Sequence, residues 1–192
     1  YISYPRTTSQ KIPASLNTKS IISSLGKHEK FKKISEQILK KGNLPVQGKK
    51  DDPAHPAIYP TGILPKELDE YGQKIYLLIT RRFLAAFSNP ALIETIKTLV
   101  NIKDEIFKAG GKRIKEKGWH EIYVYVNFKE NMLPELKKGD EIKIKKIYDD
   151  EKQTQPPKRY TQSSIIKELE KRNLGTKATR ASIIDTLCPP HP

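Results

Sequence analysis

The spacing of apolar residues changes twice along this chain, and that change is what most restricts its fold. Before Pro90, outside an irregular stretch at 1–13 and a four-proline extended loop at 48–65, apolar side chains recur every third or fourth residue; between Leu92 and Tyr148 they alternate with polar ones; beyond Tyr160 the helical spacing returns. A period near 3.6 and a period of two cannot share one element, so the sequence predicts an α+β chain with a boundary at residues 88–90.

Helices are expected at residues 18–25 and 28–41, the second carrying Phe31, Ile34 and Ile38 at helical spacing and stopping at Gly42. A third is expected over 66–87, entered at Pro65, with Leu68, Tyr71, Ile75, Leu78, Ile79 and Phe83 as its apolar stripe. Strands are expected at 92–102, 105–109, 119–127 and 140–148, with Gly110-Gly111, Gly118 and Gly139 as turns between them. Gln153 to Arg159 reads as a proline-containing linker. Thr161 then caps a helix to Arg172 with Ile165, Ile166 and Leu169 inward, Gly175 ends it, and Thr179 opens a last helix.

Charge narrows the partner. Positions 1–96 hold 15 basic and 8 acidic residues and the remainder 21 and 14, so each half carries +7. A surplus spread over the whole chain points to a polyanion, nucleic acid above all. Cys188 is the only cysteine, which excludes an internal disulfide and a cysteine-rich zinc ribbon, and a reducing intracellular setting fits. No apolar run approaches the roughly 20 residues of a membrane-spanning helix. Tyr1-Ile2-Ser3-Tyr4 at one end and Pro189-Pro190-His191-Pro192 at the other read as cut from something longer.

Three stretches carry chemistry. In Ile2-Ser3-Tyr4-Pro5-Arg6-Thr7 a guanidinium stands two residues from a phenol; in extended backbone both face one side, where Arg6 can bind a phosphate oxygen bidentately and favour the phenolate. Tyr-x-Arg is common, and by itself it reads equally as a tyrosine beside a surface arginine. Ala54-His55-Pro56-Ala57-Ile58-Tyr59-Pro60-Thr61 holds a histidine in a rigid loop, able to donate to a phosphate or relay a proton, or simply a structural loop histidine. Arg81-Arg82 lies on the third helix, where Arg82 can contact a DNA backbone or solvate a face. Gln155-Pro156-Pro157-Lys158-Arg159-Tyr160-Thr161 and, one helix later, Gly175-Thr176-Lys177-Ala178-Thr179-Arg180-Ala181-Ser182 form the last pair; the second reads as a helix start whose amides and hydroxyls suit a phosphate, or as a capping motif with cations nearby.

Taken in this order, "ISYPRTTS", "AHPAIYPT", "YLLITRRFLAAF" and "EKQTQPPKRYTQSSIIKELEKRNLGTKATRASII" resemble the type IA DNA topoisomerases, nearest to their archaeal and topoisomerase III-like branches, from Tyr1 to about Leu187. The resemblance implies that Tyr4 is the nucleophile, Arg6 its catalytic arginine and His55 the loop histidine. It implies further that Arg82, Arg159, Thr176, Lys177, Thr179 and Arg180 contact DNA, Thr179 through a phosphate. The implied organisation is a helical tyrosine lobe over 1–88, an antiparallel β arch segment over 89–152, and from 153 to 192 a linker and the beginning of a helical DNA-binding lobe.

The resemblance also implies transient cleavage of one strand through a 5′-phosphotyrosine, strand passage and religation without ATP. The partners would be single-stranded DNA and negatively supercoiled duplex, the protein a monomer in the cytoplasm at the nucleoid, away from membranes. Mg²⁺ would be bound by an amino-terminal Toprim domain outside this chain, since Asp51-Asp52 and Asp149-Asp150 do not resemble its acidic site and read as turns. Cys188 to Pro192 departs from the family pattern. Competing readings are the topoisomerase portion of a reverse gyrase and a non-catalytic DNA-binding module. A tyrosine recombinase would place its nucleophile after its Arg and His residues, the reverse of the order here.

Overall fold

The computed structural model describes residues 1–187; Cys188 and the tail that follows it lie outside the described residues. Two compact units divide between Leu136 and Lys137.

The first unit begins with α1 (Thr18–Leu25), a 3₁₀ turn at Glu29–Phe31, α2 (Lys32–Lys41) and α3 (Glu70–Ala86). Asn17 caps α1 by accepting from the Ser20 N–H, and α1 buries Ile21, Ile22 and Leu25 against Phe31, Ile38 and the face of α3 that carries Tyr76, Phe83 and Leu84. The α2 helix stops at Gly42 as its sequence predicts.

The third helix departs from expectation at its start and in its face. It opens four residues after Lys66, because Asp69 accepts from the Gly72 N–H at 2.7 Å and so supplies a stronger start than Pro65. Its buried face is Tyr76, Thr80, Phe83, Leu84 and Ala85, whereas Tyr71, Ile75 and Leu78 of the expected stripe are exposed. Apolar residues surround this helix between Ile75 and Ile79, so spacing alone allows two faces. Packing selects the one that meets α1 and α2. Leu84 is fully enclosed there. Leu84→Ala should lower the unfolding free energy by about 3 kcal/mol, read as a shift of the urea midpoint at unchanged m-value.

Within the same compact unit, helices give way to strands after Pro90. Beyond it β1 (Leu92–Ile102) and β2 (Glu105–Glu116) form an antiparallel hairpin, the only sheet among the described residues. Ile102 faces Glu105 across Lys103 and Asp104, both at positive φ, the backbone of a two-residue type I′ turn. Gly110-Gly111 is therefore not a turn: these glycines lie inside β2 opposite Lys97 and Ile96. The segment at Asn131 crosses there, exchanging backbone hydrogen bonds with Lys112 at 2.7 and 3.0 Å. A Cβ on Gly111 would stand 3.0 Å from the Asn131 carbonyl oxygen, so the glycine admits the crossing.

Two expected strands are missing. Residues 119–127 begin in a 3₁₀ turn at Gly118–Glu121, pinned by the Trp119 N–H to Asn89 carbonyl bond at 3.0 Å, and Ile122 drops into the helical core. Their alternation matched a strand, but the chain turns to cover the end of α3. Gly118 takes φ +49, and a Cβ would lie 2.3 Å from the Pro90 carbonyl oxygen. Residues 140–148 find no neighbouring strand, and Ile142, Ile144 and Ile147 stay exposed.

In the second unit α4 (Gln162–Lys171) starts in a capping box: the Thr161 and Ser164 side chains each accept from the other residue's N–H. It ends before Gly175, at Asn173, whose φ of 56° lets the Asn173 and Leu174 N–H groups reach the Glu170 and Leu169 carbonyls. Ile165, Ile166 and Leu169 are half-buried. The last helix, α5 (Arg180–Leu187), buries Ile184. Among the described residues no helix is long and apolar enough to cross a membrane.

Candidate active site

The segments around Tyr4 and His55 belong to no regular element, yet they are stitched together along their length. The Ser3 N–H donates to the Tyr59 carbonyl at 2.9 Å and the Ser3 hydroxyl accepts from the Tyr59 N–H at 3.0 Å, while Ile2 bridges Pro60. Further along, Gln10 and Lys50 exchange bonds, and Ala57 donates to the Lys11 carbonyl. Ile2, Ile12 and Tyr59 pack on the helical core. The prolines that bar helix and strand thus leave two extended stretches, and the backbone groups find partners across them.

On this platform Tyr4 is 57% exposed, and its ring centroid lies 5.7 Å from that of His55. Asp52 opens the turn that carries His55. Its carbonyl and Oδ1 both accept from the His55 N–H, at 3.1 and 3.2 Å, and its Oδ2 lies 3.4 Å from Nδ1. Nδ1 is thereby engaged and Nε2 has no hydrogen bond among the described residues, the arrangement that leaves one imidazole nitrogen for an outside group. The Thr7 hydroxyl donates to the His55 carbonyl and accepts from the Ser9 N–H, tying the tyrosine segment to the histidine turn. Arg6 is exposed, with no hydrogen bond or ion pair among the described residues. The structure brings the exposed Tyr4 phenol and the His55 imidazole together, and Arg6 stays exposed two residues along the chain; each is a group able to contact a phosphodiester.

Asp52 and Thr7 were not singled out by sequence. Asp52 was legible only as a turn residue, and the Asp-x-x-His spacing that orients the imidazole is the signal that could have marked it. Thr7 reaches its partner 48 positions away, and no local pattern announces that.

The remaining expected DNA contacts divide between the units. On α3, Arg81 donates to the Ile122 carbonyl at 2.9 Å, and Arg82 lies over the Tyr123 ring, 5.2 Å from its centroid. In the second unit the Thr176 N–H donates to the Thr179 hydroxyl at 2.8 Å, and the two hydroxyl oxygens are 3.0 Å apart. Arg180 uses Nε and Nη2 on the Leu174 and Gly175 carbonyls, holding the loop that carries Thr176 and Lys177. Arg159 stands exposed in the linker.

Among the described residues no three His, Cys, Asp or Glu side chains gather into a metal site, and Asp51 and Asp52 beside Tyr4's platform are engaged by Lys11 and His55.

The Tyr4 ring beside His55, with Arg6 two residues along the chain and a net charge of +14, presents groups that suit a phosphate. The DNA topoisomerase family model matches residues 1–189, and the chain belongs to the type IA DNA topoisomerases. It is 54% identical over 187 residues to DNA topoisomerase 1 of Methanocaldococcus jannaschii, covering 97% of this chain and 25% of that protein. DNA topoisomerase 1 of Methanothermobacter thermautotrophicus is 44% identical over 188 residues, covering 97% and 26%. DNA topoisomerase 3 of Caenorhabditis elegans is 31% identical over 188 residues, covering 97% and 25%. The chain spans about a quarter of the length of these curated relatives.

Proposed function

We propose that this chain is the tyrosine-bearing part of a type IA topoisomerase that cleaves one strand of DNA, passes a strand through the gap and religates. The observation that carries the reading is the exposed Tyr4 phenol beside His55, whose Nδ1 is engaged by Asp52, with Arg6 unpaired two residues along. The Tyr4 oxygen attacks phosphorus, the bond from phosphorus to the 3′ oxygen breaks, and a 5′-phosphotyrosine and a 3′-hydroxyl result. The phenol gives up its proton and the departing 3′ oxygen takes one up. Religation runs the same exchange backwards, so the ester stores the bond energy and no ATP enters the chemistry. Arg6 and His55 offset charge on the phosphoryl group. Thr176, Lys177, Thr179, Arg180 and Arg159 hold the strand in the second unit. The proton donor for the 3′ oxygen and the Mg²⁺ belong to a Toprim domain outside this chain.

The chain alone should bind single-stranded DNA weakly, with log affinity falling against log salt by roughly 0.7 per phosphate contacted, and should leave a supercoiled plasmid unrelaxed even with Mg²⁺. The charge of +14 supports the first half. The engagement of Asp51 by Lys11 and of Asp52 by His55 supports the second, because both of these acids are already committed. Salt-titrated anisotropy with a labelled oligonucleotide and a plasmid relaxation assay read the two halves. Relaxation by the chain alone would overturn the division of labour.

A further inference from the structure

The segment that sequence assigns to a strand instead builds a run of rings. Trp119 stacks on His120 with centroids 3.9 Å apart and planes 21° apart, and His120 meets the edge of Phe128 at 6.2 Å. In the other direction Trp119 lies 6.5 Å from Tyr123, which meets the edge of Tyr125 at 5.4 Å. Arg82 lies over Tyr123. The run lies at the edge of the core: Trp119 and Tyr123 pack against it partly buried, while Tyr125 is 49% exposed.

Arg82 and Trp119 also line a groove of about 490 Å³ together with Ala57 and Ile58, two and three residues beyond His55 of the candidate active site. Its size falls in the range that accepts a small ligand such as a nucleoside. Two amides there have donors to spare. Gln10 and Gln47 use Oε1 to accept from the Lys50 and Ile12 N–H groups, and their amide NH₂ groups have no partner among the described residues. The groove therefore offers apolar walls, a guanidinium and amide donors, and it leads from the histidine segment to a face of half-exposed rings.

We infer that this groove and the Trp119–Tyr123–Tyr125 face form a second contact for single-stranded DNA, in which an unpaired base enters the groove and its neighbours stack on the rings. Stacking suits single strands because unpaired bases expose their faces whatever their sequence, and Arg82, already over a ring, meets the phosphate between them. Duplex DNA hides those faces and gains only the charge. The inference rests on the DNA reading above and extends it away from the reacting phosphate.

Trp119 is the only tryptophan in the sequence, so its emission reports this site alone. Oligothymidylate titrated into the 192-residue chain should quench that emission saturably, with the midpoint at which a labelled oligothymidylate reports binding by anisotropy. Tyr125→Ala and Arg82→Ala should each weaken anisotropy-detected binding about five- to ten-fold, with far-UV circular dichroism unchanged. Tyr71→Ala, which removes another exposed ring on α3, should change neither signal. Anisotropy that reports binding while Trp119 emission and both variants stay unmoved would overturn the second contact and leave the DNA reading intact. No binding by either signal would overturn both.

Discussion

Tyr4→Phe, made in a full-length enzyme that contains this segment, should bring covalent DNA adducts to background while single-strand affinity stays within about two-fold. The ring keeps its place beside His55, because that contact and the bonds between Ser3 and Tyr59 do not involve the phenol oxygen. What is lost is the one atom that forms the phosphotyrosine ester. With no ester there is no gap and no strand passage. Adducts trapped by denaturant and resolved on a gel check this; any adduct from the Phe variant would remove Tyr4 from the nucleophile's role.

Arg6→Lys should lower the cleavage rate by on the order of 10²-fold, the scale of losing one preorganised donor, with a much smaller loss in DNA affinity. Lysine keeps the charge but not the planar fork, and a phosphoryl group gathering charge on two oxygens gains most from two parallel donors. Arg6 has no protein partner among the described residues, so the substitution breaks no internal bond. Single-turnover cleavage beside equilibrium binding separates the two effects. Equal rates for the lysine variant and the parent would show that a diffuse charge suffices.

How much of this was legible in the sequence depended on how local each cause is. The α1 and α2 helices follow from spacing, from Asn17 and from Gly42, all within a turn of the element they govern. The hairpin follows from alternation over 92–102 and 105–109, but Gly110-Gly111 misleads because glycine serves a close crossing as well as a turn, and the segment that crosses, at Asn131, lies about twenty residues on. The buried face of α3 contains Thr80 and Ala85, which hydropathy does not select, and omits Tyr71 and Ile75, which it does. Residues 119–126 alternate as a strand would, but the bond from Trp119 to Asn89 turns them. In the candidate site the Tyr4-Pro5-Arg6 and His55 stretches stood out as motifs once read together, while their pairing through Thr7 and the orienting role of Asp52 needed the chain folded.

The most direct measurement is to map the covalent adduct itself. A full-length enzyme containing this segment is incubated with a short single-stranded oligonucleotide, denatured, digested with protease and nuclease, and the nucleotide-bearing peptide is sequenced by tandem mass spectrometry. The phosphodiester should sit on Tyr4, joined through a 5′-phosphate. A nucleotide on Tyr1 or Tyr59, the tyrosines whose backbone is bonded into the same pair of segments, or on any residue outside this segment, would contradict the account at its centre.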